Sequence, residues 1–430
     1  KTLEKLRGMW AFALYDQNTR RLTLSRDRFG IKPLYYHAGK NRFIFASEIK
    51  ALLVSQDVPR KACLPVLADY LVAGFSDHRP ETFFQGIMQL PPGHTLEMET
   101  ATRSFKISRY YDLGTRLQGR STDVAGYGAA FREAIRLHLR SDVPVGTCLS
   151  GGLDSSSVAS TAAAFMHADG LGPFQAVTAQ SGDPRNDETA YARQIVENSG
   201  LRWHLAAPTA EDFRKHWERC LWHQEEPTGG PSVFMQYWVM KTAKEAGLIV
   251  MLDGQGGDET LLGYERYYPT LLLEWLRRSR FGTAASEFLA ATCNSKLSIK
   301  DLALYSIYFL TSGPRKLRLK NRFPDFPPEL LEQTFSQLDE LTRAFQRPDA
   351  MQAAEMTRFQ LPHLLKYEDR NSMAWSVEAR VPLVDHELAE AALLLRPEDK
   401  IRGGYTKWAL RKTMEGKMPD SITWRRNKIG

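Results

Sequence analysis

Apolar positions come in short blocks through the first quarter of the chain and then change period. Residues 10–15 are continuously apolar, Asp16-Gln-Asn-Thr19 is polar, and Arg21-Leu-Thr-Leu-Ser25 alternates. Two short runs about a polar tetrapeptide predict a hairpin. Residues 34–36 and 43–46 form a second pair around Gly39-Lys-Asn41. Short helices are expected at 48–54 and 64–72, and Pro91-Pro-Gly93 predicts a turn before a last strand at 95–98. Residues 113–122, with two glycines, read as a linker.

Beyond residue 122 helical periods alternate with apolar runs. A helix at 126–139 precedes a strand that begins near Val143 and ends at Leu149. Further strands are expected at 174–179 and at 248–252, the latter after a helix at 234–246. Strands separated by helices predict a parallel, doubly wound α/β sheet, whose ligands bind beyond the carboxyl ends of its strands. Past Thr260 the pattern is mainly helical, and no internal repeat is visible. The fold class read from this is a doubly wound parallel-sheet domain with a helical C-terminal part, preceded by a β-rich domain. The two segments expected are 1–114 and 122–430.

Two glycine-rich turns occupy strand ends. The first is Leu149-Ser-Gly-Gly-Leu-Asp-Ser-Ser156, leading into a helix-compatible run. Such a turn offers backbone N–H groups, small hydroxyls and a helix N-terminus to an anion. Asp154 adds a carboxylate beside that anion, which calls for a metal ion between them. A nucleotide-phosphate site with Mg²⁺ follows. The glycine-lysine phosphate motif is absent. Ser-Gly-Gly-Leu-Asp-Ser-Ser instead resembles the pyrophosphate (PP) loop of ATP pyrophosphatases. The second turn is Asp253-Gly-Gln-Gly-Gly-Asp-Glu259. It reads either as a polar turn into a helix or as the other wall of the same site, with Asp258 facing Asp154 across one Mg²⁺.

Two further stretches carry charge in unusual company. Residues 366–385 place Glu368, Asp369, Arg370, Glu378, Arg380 and Asp385 among apolar residues. Charges there must be paired, either in an internal network or around a zwitterionic substrate. Lys407 follows Gly403-Gly404, read as a flexible pair, at a predicted helix start. It is either a surface lysine or a cation that reaches the phosphates.

Composition bounds the rest. The 430 residues are 43% apolar and 25% charged, with a net charge of +7, which fits an anionic substrate or nucleic acid. Basic clusters at Arg277-Arg278-Ser-Arg280, Arg315-Lys316-Leu-Arg318-Leu-Lys320 and Arg425-Arg426-Asn-Lys428 lack interleaved aromatics, so they read as solvated faces and no nucleic-acid partner is expected. Cys63, Cys148, Cys220 and Cys293 are widely spaced, which argues against a disulfide framework or a zinc site and for a reducing, cytoplasmic compartment. No apolar run is long enough to span a membrane, and no signal peptide is evident.

Taken in order, the Ser150–Ser156 loop, the Gly-x-Gly-Gly-Asp-Glu turn, Asp369-Arg370, Ser372-Met373-Ala374, Glu378-Ala-Arg-Val-Pro-Leu-Val-Asp385 and the Lys407 helix resemble glutamine-hydrolysing asparagine synthetase. Gly8-Met-Trp-Ala-Phe-Ala-Leu-Tyr-Asp16, Arg26-Asp-Arg-Phe-Gly-Ile-Lys-Pro-Leu-Tyr35, Phe45-Ala-Ser-Glu-Ile-Lys50 and Pro92-Gly93-His94 are similar to the back half of its glutaminase domain. The resemblance implies a class II amidotransferase with an N-terminal-nucleophile glutaminase. Ammonia released from glutamine passes by a tunnel to a synthetase domain, where ATP adenylates aspartate and ammonia displaces AMP. It implies that Leu149, Ser150, Gly151, Gly152, Asp154, Ser155, Ser156, Asp253 and Gly254 bind ATP and pyrophosphate, and that Asp154 and Asp258 hold Mg²⁺. Lys407 would neutralise phosphate charge. Glu378, Arg380 and Asp385 would bind the acceptor, and Asp27 the glutamine amino group. Small-molecule substrates, no membrane partner and a homodimer are expected.

Two departures shape the expectations. The family's glutaminase nucleophile is an N-terminal cysteine, whereas this sequence opens on Lys1, and Cys63 lies mid-chain. The expectation is a fragment of a longer protein that uses ammonia and does not hydrolyse glutamine. Gln255 stands where familiar members carry the glutamate that takes a proton from ammonia. Glutamine cannot be a base, so Glu259 is expected to serve, with Gln255 orienting substrate. Rival readings are amide or lactam formation on another carboxylate in a natural-product or surface-polysaccharide pathway, a tRNA-modifying PP-loop enzyme, and a non-catalytic binding remnant.

Overall fold

The computed structural model describes residues 2–294 and 298–426; Lys1 and the Lys428–Gly430 end noted above lie outside them. The described chain divides into two compact units, 1–118 with 304–366, and 119–303 with 367–430. Residues 304–366, expected to belong with the second segment, therefore group with the first. They are helical, and Leu331, Phe335 and Leu338 of helix Pro328–Ala344 bury against Val72 of helix Leu64–Ala73.

The first unit holds two antiparallel sheets. Strands β1 (Ala11–Asp16), β2 (Arg21–Arg26), β6 (His94–Glu99) and β7 (Phe105–Arg109) form one, in the order β1-β2-β6-β7. Strands β3 (Tyr35–Ala38), β4 (Phe43–Ala46) and β5 (Met88–Gln89) form the other, in the order β4-β3-β5. Alternation along β3 sends Tyr36 into a core with Leu22, Leu24 and Leu96, and Tyr35 into a second core with Ile49, Leu52 and Ile87. The expected linker contains a short helix, Leu113–Leu117, whose first turn is capped by Asp112 accepting from Thr115 N at 2.7 Å.

The second unit is built on five parallel strands: β8 (Val145–Cys148), β9 (Gln175–Ala179), β10 (Arg202–Ala206), β11 (Val250–Leu252) and β12 (Glu378–Arg380). They lie in the order β10-β9-β8-β11-β12. Both faces are covered, as parallel sheets require. Ala176 and Leu252 point to a core with Phe131 of helix Val124–His138 and Val158 of helix Leu153–Ala168. Val177 and Met251 point the other way, toward Phe234, Tyr237 and Trp238 of helix Ser232–Glu245. Strand order reverses between β8 and β11. That switch point leaves a crevice at the strands' carboxyl ends, and both glycine-rich turns emerge there. No described helix is long and apolar enough to cross a membrane.

Candidate active site

Leaving β8, the chain turns through residues 149–152 into helix Leu153–Ala168. Leu149 is buried, and its N–H donates to the Val177 carbonyl at 2.9 Å, fixing the end of the strand. Ser155 Oγ closes the loop, 3.1 Å from Ser150 N and 2.9 Å from Ser150 Oγ. Gly151 is left-handed, at φ 76°. A Cβ there would lie 2.7 Å from Ala192 N, so only glycine permits this packing. Ser156, expected on the phosphates, is fully buried. Its hydroxyl has no hydrogen-bond partner among the described residues.

After β11 the second turn comes close enough to touch the first. A Cβ at Gly254 would lie 2.7 Å from Ser155 N, and one at Gly257 would lie 2.6 Å from Asp154 Oδ1. Asp154, in the first turn of its helix, and Asp258, in that of helix Gly257–Thr260, meet at a third group. Lys407 Nζ lies 2.7 Å from Asp258 Oδ1 and hydrogen-bonds Asp154 Oδ2. Lys407 is 5% exposed and left-handed at φ 55°, a conformation costly for a side-chain-bearing residue and concentrated at functional sites. The ammonium thus occupies the place of a cation between two carboxylates. The two carboxylates are hard oxygen donors of the kind that suits Mg²⁺. Buried Arg411 adds a second positive group. Burial pushes its guanidinium down to about 10, against the opposing pull of Asp154.

Two acidic turns and a buried lysine at the switch point of a doubly wound sheet are the geometry against which relatives can be judged. The family model described as asparagine synthase matches residues 126–430, and the glutamine amidotransferase domain model matches 1–111. The chain belongs to the asparagine synthase family. This is a family of ATP-dependent amidotransferases. Asparagine synthetase [glutamine-hydrolyzing] 3 of Bacillus subtilis is 29% identical over 443 residues, 99% of this chain and 67% of that protein. Asparagine synthetase [glutamine-hydrolyzing] 1 of the same organism is 27% identical over 446 residues, 99% of this chain and 68% of that one. A protein named amidase chry2, from Gibberella zeae, is 27% identical over 442 residues, 93% of this chain and 65% of that protein.

Several residues of this family member lie elsewhere than the sequence reading expected. Arg380 Nε lies 2.6 Å from Glu378 Oε1, and Nη1 donates to the carbonyls of His138 and Arg140, each at 2.7 Å. Those carbonyls lie on the segment feeding the amino end of β8, opposite the turns. Through these contacts Glu378 and Arg380 brace the sheet, while the Arg380 carbonyl, at the carboxyl end of β12, accepts from Asp253 N at 2.8 Å. Asp385 caps helix His386–Leu394, accepting from Glu387 N at 3.1 Å and Leu388 N at 3.3 Å. Asp27, in the first unit, is 1% exposed and accepts backbone N–H groups of Ile31 and Lys32, each at 2.9 Å. Its carboxylate holds the 27–32 turn. The Asp253 carboxylate lies within 4.8 Å of the Cys148 thiol and the Glu368 carboxylate, and its Oδ1 accepts from Gln255 N at 3.1 Å. Glu259 is 1% exposed and accepts from Tyr264 Oη at 2.8 Å.

Other residues escaped the sequence reading. Gly263 makes room for the lysine, since a Cβ there would collide with Lys407 Cε and Asp258 Oδ1. Gly403 and Gly404 are held in place: Glu287 accepts from their N–H groups at 2.9 and 3.2 Å, and Tyr268 Oη donates to the Gly404 carbonyl at 2.6 Å. Arg425, expected on a solvated face, donates to the Gly151 carbonyl at 3.2 Å and pairs with Glu188 at 2.6 Å. Its guanidinium lies 3.6 Å from the Tyr191 ring centroid. Arg315, in another cluster read as solvated, is buried 4.1 Å from the Tyr308 ring centroid. Only the left-handed demand at a Gly-Gly pair was open to sequence reasoning.

Proposed function

We propose that the second unit adenylates a carboxylate with ATP and transfers ammonia to it, with aspartate as acceptor and asparagine as product. The observation that carries this is Lys407 held between Asp154 and Asp258 at the strand-order switch. In this reading Ser150, Gly151, Gly152 and Ser155 cradle the pyrophosphate, and Gly254 lets the second turn close on them. Asp154 and Asp258 hold Mg²⁺, which supplies charge neutralisation on the phosphates. Lys407 turns from the carboxylates to the phosphate oxygens as negative charge moves to the departing pyrophosphate. Its left-handed backbone aims it before substrate arrives.

The first unit, matched by the amidotransferase model, is proposed to belong to a glutaminase that delivers the ammonia in the whole protein. A cytoplasmic homodimer is the assembly consistent with this reading. A second reading keeps the adenylation and changes the acceptor. It is favoured by Glu378 and Arg380, which bind each other and backbone carbonyls, and by Gln255 in the turn. Incubation with ATP, Mg²⁺, ammonia and aspartate tests the first reading by asparagine and AMP in equal amounts. AMP formed only with a different carboxylate would select the second. No carboxylate-dependent ATP–pyrophosphate exchange would overturn both.

A further inference from the structure

If adenylation proceeds as proposed, the amide-forming step needs a base. Ammonia attacks the acyl carbon, the C–N bond forms, and the C–O bond to AMP breaks with its electron pair leaving on AMP. The new nitrogen is cationic until it loses a proton. Gln255 cannot take that proton. Asp154 and Asp258 face Lys407, buried Glu259 faces Tyr264, Glu378 faces Arg380, and Asp385 caps a helix.

Asp253 differs from all of these. It follows β11 directly, at the carboxyl end of the sheet, and is half-buried. Its carboxylate, the Cys148 thiol and the Glu368 carboxylate lie within 4.8 Å of one another. Glu368 is 2% exposed. Behind it runs a chain of amides: Gln236 Nε2 donates to Glu368, Asn371 Nδ2 donates to Gln236 Oε1 at 2.8 Å, and Gln224 Nε2 donates to Asn371 Oδ1 at 2.7 Å. That chain holds the Glu368 side chain in place. A half-buried carboxyl beside a buried one resists ionising. Burial pushes the Asp253 carboxyl up, against hydrogen bonds that include those from Cys148 and Glu368.

We propose that Asp253 is the base of the amide-forming step, receiving the proton from the attacking nitrogen, and that Glu368 is its positioning residue. The inference rests on the adenylation reading and is tested apart from it by separating the half-reactions. Carboxylate-dependent ATP–pyrophosphate exchange reports adenylation, and ammonia-dependent AMP and amide release report the second step. Asp253→Asn is expected to keep exchange within a few-fold while amide formation falls about a hundredfold or more. Hydroxylamine, a stronger nucleophile that needs less help from a base, should restore part of the loss. Glu368→Gln should show the same split, about tenfold, with hydroxylamine again restoring turnover, which a merely structural role would not do. Amide formation by Asp253→Asn at the parental rate would overturn the inference while leaving adenylation standing. Equal loss of exchange and amide formation would also overturn it, placing Asp253 in nucleotide binding. Absence of exchange in the parent would instead remove the adenylation reading beneath it.

Discussion

The 150–154 turn and the 378–385 segment are equally dense in motif residues, yet the fold uses them differently. The first leaves the carboxyl end of β8, where backbone N–H groups and the start of a helix face the crevice. The second crosses the same sheet as β12. Arg380 reaches back to the carbonyls of His138 and Arg140, and Asp385 closes a helix end. Charged residues among apolar neighbours must be paired in either case. The difference lies in where each charge finds its partners: in the first turn at the carboxyl end of the sheet, and for Arg380 at the carbonyls leading into β8.

The sharpest way to break this contrast is to remove the cation at the first site. Lys407→Ala should lower carboxylate-dependent pyrophosphate exchange about a hundredfold to a thousandfold. Exchange near the parental rate would return Lys407 to a purely structural role between two carboxylates. Gly404→Ala tests how that lysine is aimed. Gly404 is left-handed at φ 74°, and a Cβ there would run into the Ala290 carbonyl. The expected result is about a tenfold loss of exchange with a lower Tm, since strain of about 1–3 kcal/mol is introduced beside the active backbone. Unchanged exchange would show that the 403–404 turn does not set the Lys407 position.

Arg380→Ala probes the second segment. It deletes three hydrogen bonds, each worth about 1 kcal/mol, so the urea midpoint should fall clearly. Exchange per folded molecule and the acceptor KM should hold. A many-fold rise in acceptor KM with an unchanged midpoint would restore Arg380 to the acceptor site and collapse the contrast.

The legible parts of the molecule are those in which local pattern and fold agree. The strands of residues 11–26 and the strand, glycine turn and helix around Ser150 could be read because apolar runs, turn residues and helix formers coincide there. β12 was missed because Glu-Ala-Arg carries no apolar period, and its pairing with β11 depends entirely on a neighbour about 130 residues away. β10 was missed for the same reason, Arg202 and His204 interrupting its alternation. The grouping of 304–366 with the first unit depends on which faces of its helices find partners, and sequence order does not record that. Arg425 looked like a solvated charge because its partners, the Gly151 carbonyl, Glu188 and Tyr191, are more than 200 residues distant. Asp154, Asp258 and Lys407 could be found as motifs, but their convergence on one point required the reversal of strand order between β8 and β11.

The smallest effect belongs to Asp385, and it separates capping from acceptor binding most directly. Its side chain accepts from Glu387 N and Leu388 N, two of the N–H groups that helix His386–Leu394 leaves without an internal partner. The residue is 5% exposed, so water does not readily replace a lost cap. Asp385→Ala should therefore cost about 1 kcal/mol of stability, and Asp385→Asn or Asp385→Ser should recover most of it, because either side chain still offers an oxygen to those N–H groups. An acceptor-binding role predicts a different ranking. If the carboxylate met a substrate ammonium, Asn would fail nearly as badly as Ala in acceptor KM, since the negative charge and not the oxygen would matter. Chemical denaturation and acceptor KM measured on all three variants decide between the two. Recovery of stability by Asn and Ser with a constant KM keeps the 378–385 segment on the bracing side of the comparison. A KM that rises alike in Ala and Asn would move Asp385 into the crevice.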